Sequence, residues 1–233
     1  MTQRMLEITS PNFIPEERLA EIDDLRTLFG NDRPLVLEIG CGIGDFIAQL
    51  AAGDPGRNYL AIDIYNKGCL KTCRRIDEAG LQNVRVLRME ARFLLARHLR
   101  AETLSAVYIN CPDPWPKKRH RGRRLVNREF LQTLLYYLVP EGNLFFCTDF
   151  VDYAEDVAAL LPTLEGYRNV LAEPFALELA GYPHSKYMRR FLELGQPIHF
   201  VHHRKAPGFR ADESLLPPVT QGFRVRWQQV ENG

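Results

Sequence analysis

The sequence predicts a doubly wound α/β fold, a mostly parallel sheet with helices on both faces. Three observations predict it. Short apolar runs alternate with segments of helical period between residues 35 and 161. A glycine cluster, Gly40-Cys41-Gly42-Ile43-Gly44, directly follows the first of those runs. Polar or acidic residues stand just past each later run, at Asp63, Glu90, Asp113 and Asp149. Alternation of this kind buries both faces of a sheet and gathers chemistry beyond the carboxyl ends of its strands, near the switch in strand order.

The elements follow in order. Residues 16–29 put Leu19, Ile22, Leu25 and Leu28-Phe29 at helical spacing, with Pro15 before them and Gly30-Asn31 after, so one helix is predicted. Leu35 to Ile39 is an apolar strand that ends at the glycines. Residues 45–52 read as a helix and 58–63 as the second strand. The spacing of Cys69, Leu70, Cys73 and Ile76 predicts a helix over 67–79, stopped by Gly80. A third strand over 84–87, a helix over 91–99 and a fourth strand over 106–109 come next. Phe130, Leu131, Leu134, Leu135 and Leu138 mark the inner face of a helix over 128–138. Pro140-Glu141-Gly142-Asn143 reads as a turn, 144–147 as a fifth strand and 152–161 as a helix.

The chain has 233 residues, 45% of them hydrophobic, enough to bury a full core. No stretch approaches the ~18 apolar residues of a membrane span, and residues 1–11 carry no apolar signal-peptide core. The five cysteines are scattered without Cys-x-x-Cys or zinc spacing, which predicts free thiols in a reducing cytoplasm and no metal site. Three segments are expected: an N-terminal extension with one helix over 1–32, the main domain over 33–204 and a tail over 205–233. Net charge is only +1, but it is unevenly spread. Residues 117–124 hold six of the 30 Lys and Arg, so the remaining 24 face 29 Asp and Glu elsewhere.

A dinucleotide fingerprint is G-x-G-x-x-G, whereas this loop is G-x-G-x-G and puts Asp45 where the third fingerprint glycine would stand. A pyrophosphate at that helix terminus would meet a carboxylate. S-Adenosyl-L-methionine has a sulfonium and an ammonium and no phosphate, and acids at strand ends, such as Glu38, suit it. Gly40, Gly42 and Gly44 let the backbone approach such a ligand. Asp63, 23 residues after Gly40, is positioned for a pair of ribose hydroxyls. Glu90 is positioned for the adenine edge. As plain structural parts, Asp63 would cap a helix and Glu90 would be a solvated loop acid.

The fourth strand delivers Asn110-Cys111-Pro112-Asp113-Pro114-Trp115-Pro116, in which three prolines stiffen the backbone around one acid. That rigidity suits Asp113 as the catalytic residue. The cations that follow, Lys117, Arg119, Arg121, Arg123 and Arg124 with His120, would repel one another without a polyanion, so phosphate contact is expected of them. Thr148-Asp149 forms a second polar pair at the same edge, where Asp149 serves as a substrate contact, as a helix cap, or as both.

Together, Glu-Ile-Gly-Cys-Gly-x-Gly, Pro-Asp-Pro-Trp-Pro-Lys-Lys-Arg-His-x-x-Arg-Arg-Leu-Val and Thr-Asp-x-x-x-Tyr-Ala-Glu resemble the bacterial tRNA (guanine-N7-)-methyltransferase family over about residues 33–204. The resemblance implies a class I methyltransferase sheet of seven strands, with S-adenosylmethionine as cofactor and tRNA as partner. The methylated atom would be N7 of a guanine in the variable loop. It implies that Glu38, Asp63, Glu90 and Asp113 line the cofactor and reaction site, that Lys117 and Asp149 touch the substrate, and that Arg119 to Arg124 grip RNA. The family's Thr-x-x-Glu motif falls on Ser185-Lys186-Tyr187-Met188, so Ser185 and Met188 are expected at the substrate, and Met188→Glu is expected to keep or raise activity. Cys111 stands where an aromatic residue is usual, and Asp63 and Glu90 reverse the usual Glu and Asp.

Other readings stay open on the residues alone: a related methyltransferase acting on another base or a small substrate, or an RNA-binding protein that keeps the fold without catalysis. The glycine spacing disfavours a nicotinamide dehydrogenase. No membrane partner is expected, and the chain is read as a monomer or homodimer.

Overall fold

Five strands form the parallel part of the sheet: Leu35–Ile39 (β1), Asn58–Asp63 (β2), Val84–Arg88 (β3), Leu104–Asn110 (β4) and Leu138–Thr148 (β5). Two more strands, Tyr167–Asn169 (β6) and His199–Lys205 (β7), complete a seven-stranded sheet in the order β3-β2-β1-β4-β5-β7-β6. β7 runs antiparallel to both β5 and β6, so the sheet is mixed. The structure is a computed structural model that describes residues 6–19 and 21–216.

Alternation along the central strands explains the double winding. Leu35, Leu37 and Ile39 of β1 with Leu60 and Ile62 of β2 feed one apolar cluster, while Val36, Tyr59 and Ala61 feed another. Successive side chains point to opposite faces, so both faces need cover. The helices Asp45–Gly53 (α2) and Asn66–Glu78 (α3) cover one face through Ile47, Ala51, Cys69, Cys73 and Ile76. Ala91–His98 (α4), Arg128–Tyr137 (α5) and Val151–Leu160 (α6) cover the other through Leu94, Phe130, Leu134 and Val157. Each lies within two residues of its predicted bounds.

Two expectations are corrected. The single helix over 16–29 is a short helix, Glu16–Leu19 (α1), and a separate 3-10 turn, Leu25–Phe29. Asp24 breaks the helix: its backbone is extended and its carboxylate accepts from Arg26 N, so it starts the second piece. Leu19 and Leu25 still reach the core, which is why the apolar period looked continuous. The turn at 140–143 is instead absorbed into β5. Leu104 pairs with Leu138 and Ala106 with Asn143, leaving an insertion in which Glu141 takes φ 60°. A Cβ at Gly142 would lie 2.8 Å from Val139 O, so only glycine fits there. The buried Lys205 at the end of β7 binds Leu138 O (2.8 Å) and Glu102 (3.1 Å), which satisfies the carbonyl at that junction.

The expected segment boundaries blur. Ile14, Leu19 and Leu25 of the N-terminal extension enter the main core, and β7 runs one residue past 204. The expected tail begins against the body, with Ala206 N bonded to Gly166 O, while residues 217–233 lie outside the described residues.

The helix Lys186–Glu193 (α7), unassigned by the sequence, follows the segment 170–185. Ser185 caps it by accepting from Met188 N (3.2 Å), and Met188 Sδ accepts from Ser185 N (3.4 Å), a sulfur version of the capping box. Met188 is fully buried with Cys147, Ile198 and Phe200. The expectation that Met188 faces a substrate is therefore corrected: it is a core residue, while Ser185 is half-buried and its hydroxyl oxygen accepts from the helix. Met188→Glu should lower thermal stability rather than raise activity. A carboxylate in that cluster satisfies Ser185 N but loses its hydration. Burial raises its pKa, so the loss should shrink as pH falls toward the protonated form; melting curves at two pH values check this.

Candidate active site

The glycine loop joins β1 to α2, and its backbone is tied down by protein groups. Gly40 N and Cys41 N both donate to Ile62 O (2.9 and 3.0 Å), Gly42 N donates to Asp63 Oδ2 (2.8 Å) and Gly44 N donates to Cys41 O (2.9 Å). Thr72 Oγ1 closes the far side on Gly42 O (3.1 Å). A pyrophosphate site needs such N–H groups free, and here these four are engaged. Asp45, at the first turn of α2, is paired with Arg75 and Arg189. All three glycines have positive φ, but they differ in role. A Cβ on Gly40 or Gly42 would meet nothing within 4 Å, whereas one on Gly44 would lie 2.8 Å from Thr72. Gly40 and Gly42 thus border open space, and Gly44 lets α2 pack against α3.

Glu38, in β1, is 1% exposed. Its Oε1 accepts from Asn110 Nδ2 (3.3 Å), and its Oε2 has no hydrogen-bond partner. Burial pushes this carboxyl up to about 8; the Asn110 bond opposes the rise and the Asp63 charge adds to it. Asp63 is also raised by burial, against the pull of the backbone N–H groups of Tyr65 and Gly42. A buried acid with an orphan oxygen beside an open glycine loop fits a cationic ligand, because only a positive partner offsets the lost hydration. The donor set therefore fits S-adenosylmethionine and does not fit a pyrophosphate.

Asp63 is more than a ribose candidate, since its two oxygens hold Gly42 N and Tyr65 N (2.8 Å each) and so fix the loop. Glu90 is not a solvated acid. It caps α4, accepting from Arg92 N (2.8 Å) and Phe93 N (3.2 Å) through Oε2, while Oε1 lies 3.5 Å from Arg92. Its carboxyl is raised by burial.

The reaction loop leaves β4 alongside β5, with Cys111 N donating to Cys147 O (2.9 Å). Cys111 and Trp115 sit at φ 45° and 43°, a left-handed conformation that non-glycine residues adopt at a cost of roughly 1–3 kcal/mol. Between them Asp113 is exposed to solvent. Asp149 follows β5 on the neighbouring strand, half-buried; α6 starts at Phe150 with no side-chain cap, so Asp149 is not its N-cap.

The basic run divides into two groups. It folds into a 3-10 turn over Lys118–Arg123 rather than an open loop. Arg124 is 3% exposed, bonded through Nε to Pro114 O (2.8 Å), paired with Asp156 and lying 4.5 Å over Tyr153. Arg121 pairs with Asp152 and Asp156. The assignment of Arg124 to RNA is corrected: it ties the reaction loop to α6 and carries no exposed charge, whereas Arg121 keeps a third of its side chain exposed while paired to α6. Lys117 and Arg119 are exposed, Arg123 is exposed with its guanidinium 4.9 Å over Trp115, and His120 packs edge-on against the same ring.

Sequence reasoning missed the residues that reach the site from far along the chain. Asn110 ends β4 and Tyr182 arrives from the segment before α7, where Arg189 binds Asp45 (2.6 Å) and Gln49 binds His184 O (3.2 Å). Only the Asn in the strand-end motif was a signal, and it was passed over in favour of Asp113.

A family described as "Putative methyltransferase" matches residues 32–201. The tRNA (guanine-N(7)-)-methyltransferase of Syntrophotalea carbinolica is 62% identical over 233 residues, covering 100% of both chains. The protein of the same name from Geobacter metallireducens is 55% identical over 204 residues, 87% of this chain and 97% of that one. Among solved structures, the 16S rRNA methyltransferase KamB superposes with a TM-score of 0.60 at 15% identity, over 88% of this chain and 98% of that chain, a likeness of fold alone. On the strength of these identities, one of them full-length, the chain belongs to the tRNA (guanine-N(7)-)-methyltransferase family.

Proposed function

We propose that the chain transfers the sulfonium methyl group of S-adenosylmethionine to N7 of a guanine in the variable loop of tRNA. The observation that carries this reading is the unpartnered Glu38 oxygen, a buried acid at the sheet's carboxyl edge, one strand away from the exposed Asp113. Glu38 would offset the cationic end of the cofactor, Asp63 would accept from its ribose hydroxyls with the lone pairs left over from Gly42 and Tyr65, and Glu90 would meet its adenine. Gly40 and Gly42 give it room.

Guanine N7 has a free lone pair, so no strong base is required of the protein. Catalysis comes from positioning and electrostatics. Asp113 accepts from the N–H donors of guanine, fixing the ring angle, and its charge offsets the positive charge that methylation leaves on the base. Lys117 and Asp149 hold the nucleotide from either side, and Arg119, His120 and Arg123 meet phosphates. In A-form RNA, N7 lies in a groove side chains cannot enter, so the base is presented in a loop or flipped. The test is mass spectrometry of nucleosides after incubation of unmodified tRNA with labelled cofactor. Labelled 7-methylguanosine is expected; another labelled nucleoside, or none, overturns the reading.

Three outcomes follow from these assignments. Asp113→Asn keeps the fold and the cofactor affinity but lowers turnover on the order of 10²-fold, as single-turnover assays will read. The Glu38 carboxyl, at about 8 without ligand, must ionise to hold a cation. Binding therefore releases a proton, and affinity should rise up to about tenfold between roughly pH 6 and 7. The ligand-free fold shows the opposite trend: its protonated Glu38 contributes stability on the acid side that is lost as pH climbs through about 8. Calorimetry in two buffers of different ionisation heat measures the proton, and Glu38→Gln should abolish it. Finally, Arg119→Ala and Lys117→Ala should each flatten the log–log salt slope of tRNA binding by roughly 0.7–0.9 per lost phosphate contact, without lowering the melting temperature. Arg124→Ala should do the reverse, costing about 2–3 kcal/mol of stability in a denaturant titration.

A further inference from the structure

The amide of Asn110 stands between two groups far apart in sequence. Its Nδ2 donates to Glu38 Oε1 (3.3 Å), and its Oδ1 accepts from Tyr182 Oη (2.6 Å) and from Cys147 Sγ (3.3 Å). Burial raises both the Tyr182 phenol and the Cys147 thiol well above their ordinary values, so both stay protonated and serve as donors. Two donors on one side fix which way the amide faces: its oxygen toward Tyr182 and its NH₂ toward Glu38. Glu38 is thereby engaged through one oxygen, and the other, unpartnered, is held in one orientation.

Tyr182 is itself firmly seated. Its ring packs against Phe46 (5.1 Å between centroids), Tyr108 (5.8 Å), Phe145 (5.9 Å) and Phe200 (5.1 Å). The segment that carries it is pinned to α2 by Gln49 and by the Asp45–Arg189 pair. A phenol so fixed, donating a short hydrogen bond at the end of β4, holds the amide rather than merely filling space.

We propose that Tyr182 is a positioning residue for the cofactor: through Asn110 it holds the Glu38 carboxylate with one oxygen turned to the ligand's cationic end. The proposal rests on the cofactor assignment made above and extends it to a residue from the last third of the chain. The same segment leads directly into Ser185 and α7, whose Arg189 binds Asp45 of α2.

A double-mutant cycle tests it, with S-adenosylmethionine affinity read by calorimetry on the full chain. Tyr182→Phe keeps the ring and removes the hydroxyl. It should weaken binding about fivefold in the wild-type background, the worth of one ordinary hydrogen bond. In a Glu38→Gln background the same change should have little effect, because the group it orients is gone. Asn110→Leu should reproduce the loss, and adding Tyr182→Phe to it should weaken binding no further. In steady-state assays the KM for cofactor should rise by the same factor while kcat changes less. Equal losses in both backgrounds would mean that Tyr182 only supports the fold, and unchanged affinity in Tyr182→Phe or in Asn110→Leu would also overturn the proposal. The two readings fail separately. A wild-type protein that binds the cofactor and makes no 7-methylguanosine refutes the substrate, and the cycle still decides the role of Tyr182. One that binds no cofactor refutes both.

Discussion

A carboxylate with an unpaired oxygen, shut inside the sheet, is the constraint around which this molecule is organised. Glu38 gives up nearly all its hydration and recovers only one hydrogen bond from the protein. Such a group is costly alone and becomes favourable when a cation arrives. The surrounding features follow from that need. The glycine loop commits its N–H groups to Ile62 O and the Asp63 carboxylate, leaving none of these for a phosphate, and the space beside Gly40 and Gly42 is open. Asp45 guards the first turn of α2, where a phosphate would otherwise dock.

How far the sequence could be read depends on where the physics is local. The five parallel strands are apolar on both faces, so they stand out as runs, and the helices between them carry a clear period. β7 does not stand out: His199, His202 and His203 interrupt its apolar residues, and two of these histidines are buried only because the fold supplies aromatic or backbone neighbours. The turn read at Pro140-Glu141-Gly142 has genuine turn chemistry. It is a bulge in which Lys205, 67 residues from Leu138, satisfies the buried Leu138 carbonyl. In the site, Glu38, the glycines and Asp113 could be found because each ends a strand. Tyr182 could not, since nothing near it in sequence hints at a bond to Asn110.

The basic run shows why a count of charges misleads. Six cations in eight residues repel one another, and the fold resolves this without a ligand for two of them. Arg121 and Arg124 turn inward to Asp152 and Asp156 of α6, and Arg124 also binds Pro114 O inside the proline-rich loop. The strained backbone at Cys111 and Trp115 thereby stays in register with α6. The four cations left outside, Lys117, Lys118, Arg119 and Arg123, follow Asp113 within ten residues of chain and are exposed. Arg123 over the Trp115 ring shows that even an exposed charge here is partly preorganised.

These parts form an ordered sequence from interior to surface: a buried acid at Glu38 that ionises only for a cation, an exposed acid at Asp113, then a fringe of exposed cations. Each layer suits one portion of a reaction in which a cationic donor meets a neutral base carried on a polyanion. The inner anion attracts the donor without competing for the base, because Glu38 is sealed at 1% exposure. Asp113 is exposed, as the proposed contact with the base requires. The outer cations are exposed, as the proposed contact with phosphates requires. Exchanging the inner and outer layers would attract the polyanion into the cofactor pocket and repel the donor. The order of the charges, rather than any single residue, makes direct methyl transfer feasible here without a general base.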